Sequence, residues 1–138
     1  IMQMEPHFDV DLSDIIVGSD DKAREVAMRL RNEWHLGLGP IPQPIQVLEA
    51  HGVKVIEVSE DSTLLDGTSN TIDGIPVVVI NMNNKNPENP DVERRRFTLF
   101  HETGHQVMNI PSEIDDKTKE HLCDVFANEM LIPKQTFI

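Results

Sequence analysis

Two histidines four residues apart, with a glutamate after the first, constrain this chain more than any other feature. His101-Glu102-Thr103-Gly104-His105 has a use only on an α-helix, where residues i and i+4 stack on one face. Both imidazoles can then reach one metal at the ~2.0–2.1 Å of a zinc–nitrogen bond. Glu102 sits beside them, placed to take a proton from a water that the metal has acidified. The bland alternative is a helix with two stacked histidines, one satisfied in the core. Phe97, Thr98, Leu99 and Phe100 precede the motif and are apolar enough to bury the helix. Gly104 costs this helix about 1 kcal/mol against alanine, which suggests a close neighbour there.

A tetrahedral catalytic zinc takes three protein ligands and leaves the fourth place open. The downstream candidates are Glu113, Asp115, Asp116, Glu120, His121, Cys123, Asp124 and Glu129. Glu120 is favoured, since a turn back from His105 would place it on the next helix. Asp124, one helical turn on, faces the same way and suits a hydrogen bond to the free ring nitrogen of a ligand histidine. Ala127 and Leu131 continue that stripe and turn it inward. The plain alternative for Glu120 and Asp124 is a solvated acidic face. Cys123 stands among Leu122, Val125, Phe126 and Ala127 and reads as a small core residue. His7, His35 and His51 show no partner pattern and read as surface or capping residues. Arg94-Arg95-Arg96 reads as a solvated first helical turn, the other reading being a pairing with acidic residues or substrate.

The rest of the chain fits one domain of 138 residues. Residues 1–19 carry little periodicity and read as a lead-in or tether, with 20–138 as the domain. Ala23, Val26, Ala27, Leu30 and Trp34 form one helical face. A short helix is expected over 45–51, capped by Gly52. Val53 to Val58 and Ile75 to Ile80 read as strands, Leu64 to Ser69 as a weaker one, and Asn70 to Gly74 as turn. Pro76 suits a strand start or an edge. The Asn- and Pro-rich stretch 81–90 reads as loop. Further helices are expected from about 91–93 to Met108 and from Asp115 or Asp116 to Leu131, which Pro133 ends. This order gives an α+β fold with a small, mostly antiparallel three-stranded sheet packed on the two motif helices.

Charge narrows the function. Lys plus Arg is 12 against 24 Asp plus Glu, a net charge of -12. This segment is unsuited to gripping a phosphate backbone or an anionic membrane surface. One cysteine excludes an internal disulfide framework and fits a reducing compartment. The first residues lack the basic start and apolar core of a signal peptide, and a start at Ile1 suggests a segment of something longer.

The stretch Arg95-Arg96-Phe97-Thr98-Leu99-Phe100-His101-Glu102-Thr103-Gly104-His105 resembles the RRFTLAHELGH segment of ImmA/IrrE-type metallopeptidases. Glu120 to Pro133 is similar to that family's second block, E-x-x-A-N-x-F-A-x-E-L-L-M-P, with Asp124 at its Asn/Asp position. The resemblance spans about residues 20–133. It implies a zincin-like domain with His101, His105 and Glu120 as metal ligands, Glu102 as general base and Asp124 supporting a ligand histidine. It implies a cytoplasmic, zinc-dependent endopeptidase whose protein substrate is a helix-turn-helix repressor, with DNA contacted only by a separate domain. Two histidines and a carboxylate also suit iron or manganese. The chain has no tyrosine, which many zincins use to stabilise an oxyanion. His121, an arginine of 94–96 or a backbone amide is left for that task. The extended substrate is expected on a sheet edge at Ile75–Asn81 or Leu64–Ser69. A second reading is a non-catalytic metal-binding module that regulates a transcription factor.

Overall fold

The computed structural model describes residues 7–60, 66–82 and 92–134. Its elements run α1 (Asp20–Glu33), α2 (Pro44–Ala50), β1 (Lys54–Val58), β2 (Gly67–Ile72), β3 (Ile75–Asn81), α3 (Val92–Val107) and α4 (Asp116–Leu131). The fold is α+β, with four helices and one three-stranded sheet. The expected loop over 83–90, the residues Leu64 and Leu65 of the weak strand, and residues 1–6 lie outside the described residues.

Each helix starts where local chemistry favours a start. Ser19 caps α1, its hydroxyl accepting from the Lys22 N–H, and Asp20 and Asp21 fill the first turn. Ala23, Val26, Ala27 and Leu30 are buried as one stripe. α2 opens on Pro44, whose missing N–H is no loss in a first turn. Gly52 follows with φ +93°. A side chain there would also fall onto the backbone of His7 and Phe8, so this position needs glycine twice over. Asp115 caps α4 by accepting from the Thr118 N–H.

The sheet departs from expectation. Its order is β1-β3-β2, with β1 parallel to β3 and β2 antiparallel to β3. It is therefore mixed rather than mostly antiparallel. The parallel β1–β3 pair is the departure, while the antiparallel pair is a single tight hairpin. Asp73 and Gly74, both at positive φ, join Ile72 to Ile75 as a two-residue turn of the hairpin type. β2 thus returns alongside β3, and β3 takes the centre. The unbroken apolar run of β3, buried over most of its length, suits a strand with neighbours on both sides. Ile75–Asn81 is consequently no sheet edge. Pro76 fits because the ladder with β1 begins one residue later, at Val77. Asn70 and Thr71 belong to β2 and not to the turn.

The stretch before α1 is not a loose tether over its described part. Leu12, Ile15 and Val17 are buried, and the Val17 N–H donates to Asn109 O at 2.8 Å. Asn109 Nδ2 reaches Ser13 O at 3.0 Å. Asp9 accepts from Trp34 Nε1 at 2.9 Å, and its other oxygen meets His51 Nδ1. His51 stacks on Trp34 with ring centroids 4.4 Å apart. These contacts lack any short-range period and left no pattern to read.

Arg31 sits on the buried side of α1, only 1 % exposed. Its Nε and Nη2 donate to Met130 O at the end of α4, and Nη1 donates to Gly37 O at 2.8 Å. A cation at a helix C-terminus satisfies carbonyls that have no intrahelical partner. Burial pulls the guanidinium below its ordinary range, partly offset by the nearby charge of Glu129. Glu129 is itself buried and accepts from the Lys134 N–H. Arg31→Met keeps the volume but strands two carbonyls and leaves Glu129 without its cation. The expected loss is roughly 2–5 kcal/mol, read from denaturant unfolding midpoints.

Candidate metal centre

α3 carries the motif between the sheet and α4. Leu99, Phe100, Thr103, Gly104 and Val107 form its buried side. His101, Glu102 and His105 come out on the flank facing β2 and α4. The two imidazoles meet edge to face, with centroids 5.0 Å apart.

Glu120 on α4 approaches both rings. Its Oε2 lies 2.6 Å from His101 Nε2 and 3.1 Å from His105 Nε2. One oxygen thus touches both ring nitrogens. Three donors around a tetrahedral ion with ~2.0–2.1 Å arms stand roughly 3.3 Å apart, so these side chains converge as such a set would. Ligand atoms of His101, Glu102 and His105 also fall within 4.8 Å of one another. On distance alone Glu102 could coordinate as well; its Oε1 accepts from Ser69 on β2.

The imidazole of His101 is held from both ends. Its Nδ1 lies 2.7 Å from Asp124 Oδ1. With an ion bound, a carboxylate there would favour the proton on Nδ1 and leave the Nε2 lone pair for the ion. Burial raises the Glu120 carboxyl, but hydrogen bonds and charge from His105 and His101 outweigh it, and the net shift is downward.

Glu102 is positioned by β2, and no motif signalled that. Ser69 Oγ donates to Glu102 Oε1 at 2.8 Å and accepts from Gln106 Nε2 at 2.9 Å. Thr71 Oγ1 donates to Gln106 Oε1 at 2.7 Å. Ser69 and Thr71 are two apart on a strand and so share a face. That alternation, beside a glutamine one residue past His105, was the available clue. Gly67 lets the strand come this close, since a Cβ there would stand 2.7 Å from Thr98 Cγ2.

Other candidates fall away. Cys123 is fully buried, and burial followed by the charges of Glu120, Glu102 and Asp124 pushes its thiol far up. It is core, as expected, and no nucleophile. Asp115 is spent on its cap and Glu129 on Lys134 N–H. His121 Nε2 pairs with Asp20 at 3.0 Å. Arg96 donates to Ile41 O and Pro42 O. Of the charged groups considered for an oxyanion, Arg94 borders the cleft, ion-paired with Asp66 and beside Phe97, His101 and Glu102. The cleft holds about 330 Å³.

The family model for Peptidase_M78, described as the IrrE N-terminal-like domain, matches residues 48–138, more than half of the chain. No curated protein matches the chain, and no solved structure does.

Two outcomes test this geometry. A Cβ on Gly104 would meet Phe126 Cδ2 at 2.8 Å. Gly→Ala in an exposed helix gains about 1 kcal/mol. Here Gly104→Ala should instead lose about 1 kcal/mol net, because overpacking a core costs ~1–3 kcal/mol. Thermal unfolding gives the sign. Glu120, whose folded carboxyl is shifted down, stabilises the metal-free fold above the ordinary glutamate range, and that support is lost as pH falls through the folded value. The stability gap between wild type and Glu120→Gln should therefore close in acid and open as pH rises through the glutamate range. It should stay under about 1 kcal/mol, as for other exposed pairs.

Proposed function

The chain belongs to the Peptidase_M78 family of IrrE N-terminal-like domains, and on that premise we propose that it is a zinc-dependent endopeptidase with a zincin-like arrangement. The observation that carries the reading is the meeting of His101 Nε2 and His105 Nε2 on one oxygen of Glu120. His101, His105 and Glu120 would hold the ion, a three-residue set of the size that catalytic zinc sites use. When bound, the zinc supplies Lewis-acid chemistry, polarising a carbonyl and acidifying water. Glu102 removes the proton of the attacking water and delivers it to the leaving amine. Asp124 keeps His101 in the tautomer that presents Nε2.

The substrate chain would add as a strand to β2. Among the described residues β2 pairs only with β3, so its other edge is open. β2 also carries Ser69, the residue against Glu102, which sets an added strand beside the general base. The proposed substrate is a protein, a helix-turn-helix repressor, cut in the cytoplasm. The net charge of -12 supports a domain that acts on the repressor and leaves DNA to its partner. No described helix is long and apolar enough to cross a membrane.

Elemental analysis of the purified protein should find about one zinc per chain, lost in His101→Ala and in Glu120→Ala. Glu102→Gln should keep the zinc and lose cleavage by roughly 10²–10⁴-fold. Cleavage is read by mass spectrometry after incubation with helix-turn-helix proteins from the same source. Zinc bound with no such protein cut would favour the non-catalytic regulatory module. No zinc taken up at micromolar concentration would sink both readings.

A further inference from the structure

The three consecutive arginines at the start of α3 point to three different surroundings. Arg94 pairs with Asp66 beside the metal cleft. Arg96 is committed to the carbonyls of Ile41 and Pro42. Arg95 lines a separate groove of about 380 Å³ between the start of α2, the sheet and the first turns of α3. Ile45, Ile80 and Leu99 line it, and Ile80 and Leu99 are almost fully buried. The groove is thus apolar where it is deepest.

The Arg95 Nε–H is buried and has no hydrogen-bond partner among the described residues. The guanidinium makes one long contact, Nη2 to Met82 O at 3.4 Å, at the weak end of the useful range. A buried donor on a cation is costly to leave without an acceptor. Glu57 also borders the groove, but it makes no ion pair with Arg95 among those the structure records within 4.0 Å. Among the described lining residues, two arginines stand against one glutamate, a positive balance in a chain of net charge -12.

An apolar floor with an unanswered cationic donor has a definite chemical complement. We propose that the groove binds a medium-chain aliphatic carboxylate, its tail on Ile45, Ile80 and Leu99 and its head group on the Arg95 guanidinium. The volume suits a small ligand. The site lies on α3 two turns before His101, and it requires no metal.

The test is titration of the full chain with octanoate, followed by calorimetry and by methyl NMR shifts of Ile45, Ile80 and Leu99. Octanoate should bind one saturable site and move those methyls. Octan-1-ol, with the same tail and no charge, should bind roughly tenfold more weakly or worse. Arg95→Met should lose octanoate binding by a similar factor, and Glu57→Gln should tighten it. Should Arg95→Met fail to fold, the octanol comparison and the methyl map on the unaltered chain still decide. Absence of saturable binding, equal binding of octan-1-ol, or shifts confined to other residues would overturn the proposal and leave a water-filled groove.

Discussion

One side chain on α4 can meet two on α3 only if the helices approach closely, and the approach is set by a missing Cβ. Gly104 lies on α3 against the ring of Phe126, where any side chain would collide. The same helix face that admits Phe126 is continuous with the flank carrying His101 and His105. Glu120 and Asp124 lie six and two residues before Phe126 on α4, and both reach His101. Widening this contact would pull Glu120 off two ring nitrogens together. The helical cost of glycine is accepted where the packing gains from it.

The remaining scaffold holds that contact in place from outside. α1 lies along α4 and reaches its last turn through Arg31, which binds Met130 O. The stretch 8–17 closes against Asn109, just past α3. On the other side Gly67 admits β2 to the surface of α3 near Thr98 and Glu102. Two glycines of different elements, Gly67 and Gly104, therefore bring the three working surfaces together. Neither is needed for an unusual backbone angle, since neither has positive φ. Both are needed for the space that a side chain would fill.

The helices and the convergence of His101, His105 and Glu120 could be read from residue order because their signals are local. Ala23 to Leu30 repeats at helical spacing, Asp115 stands as a cap, and the His101/His105 spacing is meaningful on a helix alone. Glu120 and Asp124 followed from the continuing stripe through Ala127. The sheet order was harder, because an apolar run such as Ile75 to Ile80 suits a buried centre as well as a paired edge. The Asp73-Gly74 pair was the sharper clue to the hairpin, and the polar residues Asn70 and Thr71 masked it. The docking of 8–17, the Asp9–Trp34–His51 contacts and the Ser69–Gln106 support of Glu102 join residues far apart in sequence. They depend on tertiary placement, which no short window contains.

Trp34 is the chain's single tryptophan, and there is no tyrosine. Its indole is stacked on His51 and hydrogen-bonded to Asp9, so all the long-wavelength emission arises at the joint between the N-terminal stretch, α1 and the end of α2. The molecule thus carries an intrinsic optical probe of that joint. Release of the 8–17 stretch would alter the polarity and quenching around the indole. A rearrangement confined to the histidines and Glu120 would leave the signal silent. Fluorescence and metal occupancy therefore report on two different parts of one small fold, and comparing them shows whether those parts loosen together or in turn.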